Sequence, residues 1–488
     1  MWRKMINDNV NGKCFIVIKN MYENIKSCVI KNGEYSNFFN CEIGVRQGES
    51  LSPFLFALFI NDIENYFADH NVSLLNLANE LDNDLLDVFI RIFMLLYADD
   101  TVLFSETSTE MQQMLDVFSD YCKQWKLTVN VNKTKVVVFS KRRYNQNQKF
   151  KLNDEEIEFS DFYSYLGVLF CYNGNISDAK KKLVEQSQKA LYAVYYKIRN
   201  INIPIDLQLK NFDSLVTPIL LYGCEVLGFE KNDNIEKVHL QFMKRILNVR
   251  TSTSNFLVYG ELGRYPLSVI SKCRMLCFWC KLVCSDKLSS KIYNMTYSLY
   301  VNGRKSLRWI DFIKKTFDEI GLSFIFTNQI QINSNWLKVH AKQILCDQYL
   351  QRWRGDIAQS SRGHFYSIFK QEFCLEPYLL RLSINHRRFI TKLRLSNIKF
   401  PIETGRWRNI PKENRICHKC SLGELGDEFH YLFVCTSQDI LNLRNKFIPN
   451  YFTVNPSLEK MSGMLSLCNL NLLRKVSFFI KSVGILFQ

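Results

Sequence analysis

The sequence predicts an α+β fold in which strands lie in the first third of the chain and helices make up most of the rest. Up to about residue 170, short apolar runs alternate with polar residues and end at turn pairs, a pattern typical of strands, with amphipathic helices between them. From Ser177 to about Asn397, apolar residues recur at helical spacing almost without interruption. At 488 residues and 47% hydrophobic content, the chain is long enough for about two to four domains.

The elements before residue 170 follow a definite order. They are a helix in 11–25, two strands in 27–44 joined by a turn at Asn32-Gly33, a helix in 54–70 with Ser52 as its N-cap and Pro53 in its first turn, a strand, tight turn and strand between Val88 and Glu106, a helix from Ser108, a strand in 127–140 and a strand pair ending at Phe170. A basic connector at 141–153 precedes the last pair, and a Pro-containing stretch at 396–415 is the clearest linker.

The charge balance favours a polyanionic partner. Lys and Arg number 63 against 47 Asp and Glu, which gives a net charge of +16. Such an excess suits nucleic acid or an acidic membrane surface, and a basic surface kept for solubility is the alternative. The longest apolar runs, 53–60 and 477–487, are far shorter than the ~20 residues that cross a bilayer. No membrane-spanning role is therefore expected.

The cysteines and the N-terminal sequence indicate an intracellular protein. The 16 cysteines are scattered without the regular spacing of a small disulfide-bonded domain. The chain opens with charged and polar residues and has no apolar core behind them, so it lacks a secretory signature. Reduced thiols are the simpler interpretation.

Two adjacent carboxylates, Asp99 and Asp100, stand between two apolar runs in "FMLLYADDTVLF". A hairpin with these residues at its tip would hold at least one carboxylate on rigid backbone. Because unpaired buried charges are costly, the pair must face either water or a cation. Magnesium suits it, since this ion takes carboxylate oxygens and leaves positions for substrate phosphates. An ordinary solvated Asp-Asp turn is the alternative.

The surrounding motifs add a resemblance. "YADD" at 97–100 is preceded by "GVRQGESLSPFLFALFINDIENYF" and followed by "LTVNVNKTKVVVF" and "YLGVLF". In this order the motifs resemble those of reverse transcriptases of non-LTR (LINE-like) retrotransposons. The resemblance implies an RNA-directed DNA polymerase that adds dNTPs to a primer 3′-hydroxyl, with an RNA template and a DNA primer or target as partners. It also implies the nucleus and a cytoplasmic ribonucleoprotein as the location.

Residue roles follow from the same resemblance. It implies that Asp99 and Asp100 are catalytic and hold Mg²⁺ or Mn²⁺, and that Gln47 and Gly48 lie beside the nucleotide and template. It also implies that Lys133 and Lys135 approach the triphosphate, and that Tyr165, Leu166 and Gly167 belong to the hairpin that grips the primer. A glycine lets backbone approach a nucleotide, an amide can donate and accept, and lysines neutralise phosphate charge.

The sequence departs from the family at its start. The family carries a third catalytic carboxylate in a "DxxxAFD"-type motif on a strand before "LWRKM", whereas this chain begins "MWRKMINDNVNGK". Asp8 lies in a polar turn and is not a substitute. We expect a truncated copy or fragment that is weakly active or inactive alone, since a lost ligand costs ~10² to 10³ in rate. A catalytically dead nucleic-acid-binding remnant is the alternative.

The resemblance also predicts how the whole chain divides into parts. The expected parts are a partial polymerase palm (antiparallel sheet with helices) at 1–170, a helical thumb at 171–260, a helical connector at 261–400, a zinc knuckle at 401–440 and a C-terminal helical tail at 441–488. Lys180, Lys181 and Lys182 open an amphipathic helix that suits a thumb tracking a phosphate backbone.

Two groups of cysteines have metal-like spacing. Cys273, Cys277, Cys280 and Cys284 share one helical stripe, but a straight helix spreads their sulfurs over ~16 Å, which favours a buried helix face over one tetrahedral zinc site. Cys417, Cys420, His430 and Cys435 give C-x2-C-x9-H-x4-C, a complete four-ligand set for a structural zinc. Four unrelated side chains are the alternative.

In the resembled family, a Cys-Cys-His-Cys element near the C-terminus is thought to bind nucleic acid. Its flanks here, 386–395 and 405–415, interleave Arg with Phe and Trp, which suits phosphate contact and base stacking. His418 lies inside the knuckle and is expected to point away from the metal. Group II intron maturases and telomerases fit the palm motifs but not this Cys/His element.

Overall fold

A computed structural model describes residues 1–41, 44–46, 48–70, 72, 75–76, 91–92, 94–97, 99–141, 148–198, 201, 203–228, 233–303, 308–466 and 469–487. These residues form two compact units. The first comprises Met1–Tyr165 with Phe170–Asn175, and the second comprises Leu166–Leu169 with Ile176–Gln488. Within the described residues, every helix is too short or too polar to cross a lipid bilayer.

The first unit mixes short strands with helices, as the α+β prediction requires. Its helices are α1 (Trp2–Asn7), α2 (Gly12–Tyr22), α3 (Ser52–Phe59), α4 (Ile63–Asp69) and α5 (Ser108–Trp125). Its strands, together with the hairpin that continues into the second unit, are β1 (Lys26–Ser27), β2 (Ile30–Lys31), β3 (Glu34–Tyr35), β4 (Phe39–Asn40), β5 (Leu75–Asn76), β6 (Arg91–Ile92), β7 (Met94–Tyr97), β8 (Asp100–Leu103), β9 (Lys135–Val136), β10 (Phe150–Leu152), β11 (Glu155–Phe159), β12 (Phe162–Tyr165) and β13 (Val168–Cys171).

Tight turns set the register of the hairpins. Asn32 and Gly33 both have positive φ, 52° and 88°, so they form the type I′ turn expected between β2 and β3. β1 pairs antiparallel with β4, and β5 pairs antiparallel with β6. In the only three-stranded sheet of the described residues, β11 pairs antiparallel with β10 and parallel with β9. The predicted strand in 127–140 is therefore only two residues long, and β10 occupies the end of the predicted connector.

The helix predicted over 54–70 is wrong as a single element, because the structure breaks it between α3 and α4. Lys4 from α1 is almost fully buried at this break, where its ammonium group donates to the carbonyl oxygen of Phe59 and, at 2.6 Å, to the carboxylate of Asp62. It also lies 3.6 Å from the centre of the Trp125 ring. A buried cation that binds the last carbonyl of α3 satisfies that helix end and favours termination there.

The N-cap assignment at α3 is also wrong. Ser52 is the first residue of the helix and Leu51 occupies the cap without a side-chain hydrogen bond. The Ser52 hydroxyl instead donates to the carbonyl oxygen of Arg46 at 2.5 Å. Helix α5 has the sharper start, because Thr107 and Glu110 form a capping box in which each side chain accepts from the other's backbone amide. Met114, Leu115 and Cys122 are buried on the predicted face of α5.

The second unit is helical, as predicted. Its helices are α6 (Ser177–Ile198), α7 (Ile205–Leu215), α8 (Thr217–Leu220), α9 (Cys224–Leu227), α10 (Asp233–Ile246), α11 (Asn255–Leu262), α12 (Leu267–Val283), α13 (Leu288–Val301), α14 (Arg308–Glu319), α15 (Ser323–Thr327), α16 (Ser334–Gln359), α17 (Tyr366–Phe369), α18 (Pro377–Arg381), α19 (Ile384–Arg394), α20 (Pro401–Trp407), α21 (Gln438–Phe447), α22 (Asn450–Thr453), α23 (Leu458–Ser466) and α24 (Leu470–Ile485).

Two apolar cores hold this unit together. One gathers α12 to α16 around Trp279 and Phe317, whose ring centres lie 4.7 Å apart. The larger core runs from α6 through α24. It includes Phe400 and Ile402, so the prediction of a linker at 396–415 is wrong: this stretch contains α20, which is buried in the core. The five-part division of the chain stays a prediction beyond the two units.

Candidate functional site

The paired aspartates lie at the tip of a β-hairpin. β7 and β8 pair antiparallel from Met94 opposite Leu103 to Tyr97 opposite Asp100, so Asp99 lies between the two strands at the tip. Met94 and Leu103 pack against the apolar cluster formed by α4 and α5, whereas Asp99 and Asp100 are exposed. The apolar flanks are thus partly buried at the base of the hairpin, whereas Leu95 and Leu96 nearer the tip are 38% and 39% exposed. The hairpin predicted around "YADD" is confirmed over the described residues.

Tyr165 at the end of β12 lies close to this tip. Partial burial raises the pKa of Tyr165, and the negative charge of Asp100 raises it further, because an ionised phenolate would be repelled by the carboxylate. A protonated hydroxyl beside a carboxylate is a hydrogen-bond donor. The structure thus brings one residue of the predicted primer grip within electrostatic range of one of the predicted catalytic acids.

The two lysines assigned to the triphosphate differ in their surroundings. Lys133 is exposed in a turn, where its backbone amide donates to the Asn130 carbonyl oxygen at 3.1 Å. Lys135 lies in β9 opposite Glu158 of β11, and its ammonium group forms an ion pair with that carboxylate. Lys135 must therefore share or leave Glu158 before it can contact a phosphate, whereas Lys133 already faces solvent.

The segment before α3 is fastened to its neighbours by polar contacts. The Arg46 guanidinium donates to the carbonyl oxygen of Met21 at 2.7 Å, and the Tyr22 hydroxyl donates to the Glu49 carboxylate at 3.0 Å. Gly48 has φ of 84°, a conformation that other residues adopt at a cost, so glycine is required here by the backbone itself. Gln47, the predicted nucleotide contact, lies outside the described residues.

The predicted primer-grip turn is anchored by a residue that the sequence did not single out. Leu166 and Gly167 both have positive φ, 47° and 79°, as in a type I′ turn. The hydroxyl of Tyr222, between α8 and α9, donates to the Leu166 carbonyl oxygen at 2.6 Å. A Cβ at Gly167 would lie 3.3 Å from the Tyr222 ring. The only sequence signal for this contact is an aromatic residue beside a glycine, Tyr222-Gly223, which is too common to identify it.

Within the part of the chain that the structure describes, two carboxylates rather than three are gathered at the hairpin tip. Among the described residues, the one group of three or more His, Cys, Asp or Glu side chains close enough to share a metal ion is Cys417, Cys420, His430 and Cys435. Asp8 is the C-cap residue of α1 and is exposed, and its exclusion as a catalytic acid stays a prediction.

The Cys/His segment forms a compact ligand set. The potential ligand atoms of all four residues lie within 4.8 Å of one another. The sulfurs of Cys417 and Cys435 are 3.9 Å apart, and the sulfur of Cys420 lies 3.4 Å from Nε2 of His430. Cys417, His430 and Cys435 are buried, whereas His418 is exposed, as predicted. The four side chains could hold one metal ion.

Backbone geometry and neighbouring groups position these ligands. Cys417 lies in a turn closed by hydrogen bonds between residues 415–417 and 424–426, and a π-helical turn, His430–Val434, presents His430 and leads to Cys435. Nδ1 of His430 lies 3.2 Å from the Glu424 carboxylate. A proton on Nδ1 leaves the Nε2 lone pair for a metal, an arrangement that raises ligand basicity.

The thiols differ in acidity. Although partial burial alone would raise the pKa of Cys420, hydrogen bonds from the backbone amides of Leu422 and Thr436 lower it overall. Burial raises the pKa of Cys435 to about 12. A metal ion would therefore have to displace a proton from Cys435, and binding would be coupled to proton release.

The other cysteine stripe belongs to the helical core, as predicted. Cys273 and Cys280 are buried on α12, and the Cys280 thiol donates to the carbonyl oxygen of Ile332 at 2.9 Å. Cys284 at the end of the helix is exposed. No disulfide bond joins the cysteines among the described residues.

The segment that contains the aspartate hairpin is similar in sequence to known proteins. Residues 2–170 match the family described as reverse transcriptase (RNA-dependent DNA polymerase). The chain is 23% identical over 244 residues, 49% of its length, to the RNA-directed DNA polymerase from mobile element jockey of Drosophila melanogaster, and 23% identical over 250 residues, again 49% of its length, to that of Drosophila funebris. The matched regions cover 24% and 25% of these relatives.

A third relative is a transposon-derived protein of Caenorhabditis elegans, 23% identical over 242 residues, which are 45% of this chain and 83% of that protein. The chain thus spans about a quarter of the length of the two jockey polymerases that it matches. These findings confirm the resemblance to non-LTR retrotransposon reverse transcriptases that the motifs around Asp99 and Asp100 predicted.

Proposed function

We propose that residues 2–170 carry the aspartate hairpin of a non-LTR retrotransposon reverse transcriptase, which transfers a nucleotide from a dNTP to the 3′-hydroxyl of a primer on an RNA template. In this reaction the hydroxyl oxygen attacks the α-phosphorus, loses its proton, and pyrophosphate leaves. The observation that carries the proposal is the rigid hairpin that exposes Asp99 and Asp100 at its tip, within the segment that matches the reverse transcriptase family.

Asp99 and Asp100 would hold Mg²⁺ or Mn²⁺ in this reaction. Both carboxylates are exposed and adjacent, which fits a hard cation that takes carboxylate oxygens and retains positions for phosphate. Such ions, when bound, stabilise the attacking and leaving oxygens of the displacement. Tyr165 would help to position the primer beside Asp100, and Lys133, which is exposed just before β9, would neutralise charge on the triphosphate.

Activity of this chain alone is expected to be low. Two carboxylates are gathered at the hairpin tip, and no third ligand joins them among the described residues. Removal of one preorganised electrostatic group commonly costs ~10² to 10³ in rate. The second candidate function is therefore nucleic-acid binding without chemistry, which the net charge of +16 and the Cys/His segment favour.

We also propose that Cys417, Cys420, His430 and Cys435 bind one structural zinc ion. Two thiolates on a tetrahedral zinc at about 2.3 Å would lie about 3.8 Å apart, close to the 3.9 Å between the sulfurs of Cys417 and Cys435. A closed set of four protein ligands leaves no position for a substrate, so the metal would stabilise the fold. RNA template and DNA primer or target are the partners proposed for the whole chain.

Primer extension tests the catalytic proposal. The full chain is incubated with a primer annealed to an RNA template, dNTPs and either Mg²⁺ or Mn²⁺, and binding of the same duplex is measured by fluorescence anisotropy. We expect weak extension that disappears in the Asp99→Asn/Asp100→Asn variant, because the amides cannot hold the cations, while duplex binding is retained.

The alternatives give different results. Lys151→Gln, which removes an exposed charge in β10, is the matched control and should extend primers as the unaltered chain does. Binding without any extension would favour the second candidate function. Extension that survives loss of both aspartates would exclude them as the metal-holding residues.

A further inference from the structure

A basic pocket lies in the second unit, remote in sequence from the aspartate hairpin. It is formed where the chain enters α11, near the end of α19 and beside α20. The side chains that matter for its chemistry are Arg250, Ser252, Thr253, Arg362, Asn397 and Trp407. We call it the Arg250 pocket.

Two side-chain donors of Arg250 have no acceptor among the described residues. Its guanidinium stacks on the Trp407 ring, with 4.4 Å between its central carbon and the ring centre. Nε and Nη1 are buried and donate to no atom of the described residues. Burial lowers the pKa of Arg250, but a guanidinium stays charged in proteins. Buried donors without partners are costly, and an acceptor that enters the pocket would remove this cost.

The pocket is held in shape by a polar frame. The Asn397 side chain accepts from the Arg250 backbone amide at 3.2 Å and donates to the Thr253 hydroxyl at 2.5 Å. The Arg362 guanidinium donates to the Ser252 carbonyl oxygen at 3.1 Å. These bonds hold the side chains of Asn397 and Arg362 in place, which lowers the entropy cost of ordering them around a ligand.

The start of α11 adds to the positive character. Ser254 is the N-cap residue but its side chain accepts no hydrogen bond from the helix, so the first-turn amides lack the usual side-chain acceptor. Helix N-termini with such amides attract anions. Ser254 and Leu257 of this turn line the pocket.

Positive charge around the pocket exceeds negative charge. Glu403 also lines it and its negative charge acts on Arg250, but the same carboxylate accepts from Arg406 at 2.7 Å, so one carboxylate is shared by two arginines. The pKa of Lys392 is lowered by partial burial and by the charges of Arg388 and Arg250. Lys392 and Arg388 lie outside the pocket lining, and their charges add to the positive potential around Arg250.

We propose that the Arg250 pocket binds a backbone phosphate of a single-stranded nucleic acid, and that the free face of Trp407 stacks on a neighbouring base. Trp407 is 50% exposed although Arg250 covers one of its faces. Arginine donors with an adjacent aromatic platform are the combination that single-stranded nucleic-acid sites use. The choice of nucleic acid as the source of the phosphate rests on the proposed function.

The test measures binding of the full chain to a fluorescein-labelled, mixed-sequence 20-nucleotide RNA by anisotropy over a range of salt concentrations. Arg250→Gln should weaken binding about 5-fold or more and reduce the salt slope by about 0.7, the value for one lost single-strand phosphate contact. Trp407→Ala should also weaken binding about 5-fold or more, and Trp407→Phe should retain most of it. Circular dichroism confirms that each variant is folded.

Lys315→Gln provides the matched control, since this exposed lysine of α14 carries the same charge but does not line the pocket. Inorganic polyphosphate, which has no bases, should displace RNA less well from Arg250→Gln than from the unaltered chain. It should displace RNA from Trp407→Ala as well as from the unaltered chain. Normal RNA binding by folded Arg250→Gln and Trp407→Ala would overturn the proposal that the Arg250 pocket binds a phosphate, while leaving the proposed polymerase function untouched. An unaltered chain that binds no RNA would overturn both.

Discussion

Glu261 and Arg394 form a fully buried ion pair in the second unit. Nε of Arg394 donates to Glu261 at 2.7 Å and Nη2 donates to Glu376 at 2.9 Å. The hydroxyls of Tyr366 and Tyr378 also donate to the Glu261 carboxylate, at 3.1 and 2.6 Å. One carboxylate on α11 therefore joins α17, α18 and α19, and its charge is balanced inside the protein.

Loss of one partner from this pair should be strongly destabilising. Arg394→Met is expected to lower the free energy of unfolding by about 3–5 kcal/mol, because Glu261 would remain buried and charged without its cation. Urea denaturation followed by circular dichroism measures the change. The exposed Lys281 of α12 supplies a control, since Lys281→Ala should change the free energy of unfolding by less than about 0.5 kcal/mol. Equal effects of the two substitutions would contradict this account of the pair.

Metal content tests the Cys/His segment at the level of single residues. Purified chain should contain about one zinc ion, and Cys420→Ser should lose it, because a serine hydroxyl is a poor zinc ligand. Inductively coupled plasma mass spectrometry measures the ratio of metal to protein. Cys284→Ser, which alters an exposed cysteine outside the segment, should keep its zinc. Folded protein without metal would show that the four side chains meet for another reason.

Single elements show which features are readable from local sequence. The turn at Asn32-Gly33 and the capping box at Thr107 depend on residues within four positions of each other, so the sequence predicted the hairpin and the start of α5 correctly. The break between α3 and α4 depends on Lys4, which is 55 residues from Phe59. Local periodicity carries no information on such a contact, and the helix was predicted as continuous.

The turn at Leu166 and Gly167, the predicted primer grip, is an element whose stability depends on a distant side chain. Tyr222→Phe should remove the hydrogen bond to Leu166, which is worth about 0.5–1.5 kcal/mol, and so increase hydrogen exchange at residues 166–169. Gly167→Ala should have a larger effect, because Gly167 has φ of 79°. Tyr192→Phe, at an exposed tyrosine of α6, should leave exchange at the turn unchanged. Unchanged exchange in all three variants would mean that Tyr222 does not hold the turn.

At the scale of the whole molecule, the Cys/His segment is part of the largest core. Cys417, Tyr431 and Cys435 are buried together with α24, and the Tyr431 ring packs 4.8 Å from that of Phe487. The spacing of the four ligands predicted their meeting, because the motif is local. Their burial in a large core was not predicted, since the Pro and Gly residues around 396–415 are equally typical of a linker and of a short buried helix.

Metal removal should therefore affect the second unit far beyond the segment itself. A chelator is expected to lower the melting temperature and to open new protease sites within residues 176–488, because the ligands lie in the same core as α19 and α24. Cleavage within residues 1–165 should stay as it was, since that unit has its own cores. Mass spectrometry of limited-proteolysis fragments locates the cuts. New cuts confined to 415–435 would indicate an independent module.

The hydrogen bond between Tyr222 and Leu166 has a consequence for how these positions vary in sequence among related elements. Residues 166–169 group with the second unit although the family match extends to residue 170. A shortened chain that stops at Phe170 would retain the turn and lose the tyrosine that fastens it. Positions 166, 167 and 222 are therefore expected to vary together across related elements, with the phenol and the glycine either kept as a set or lost as a set.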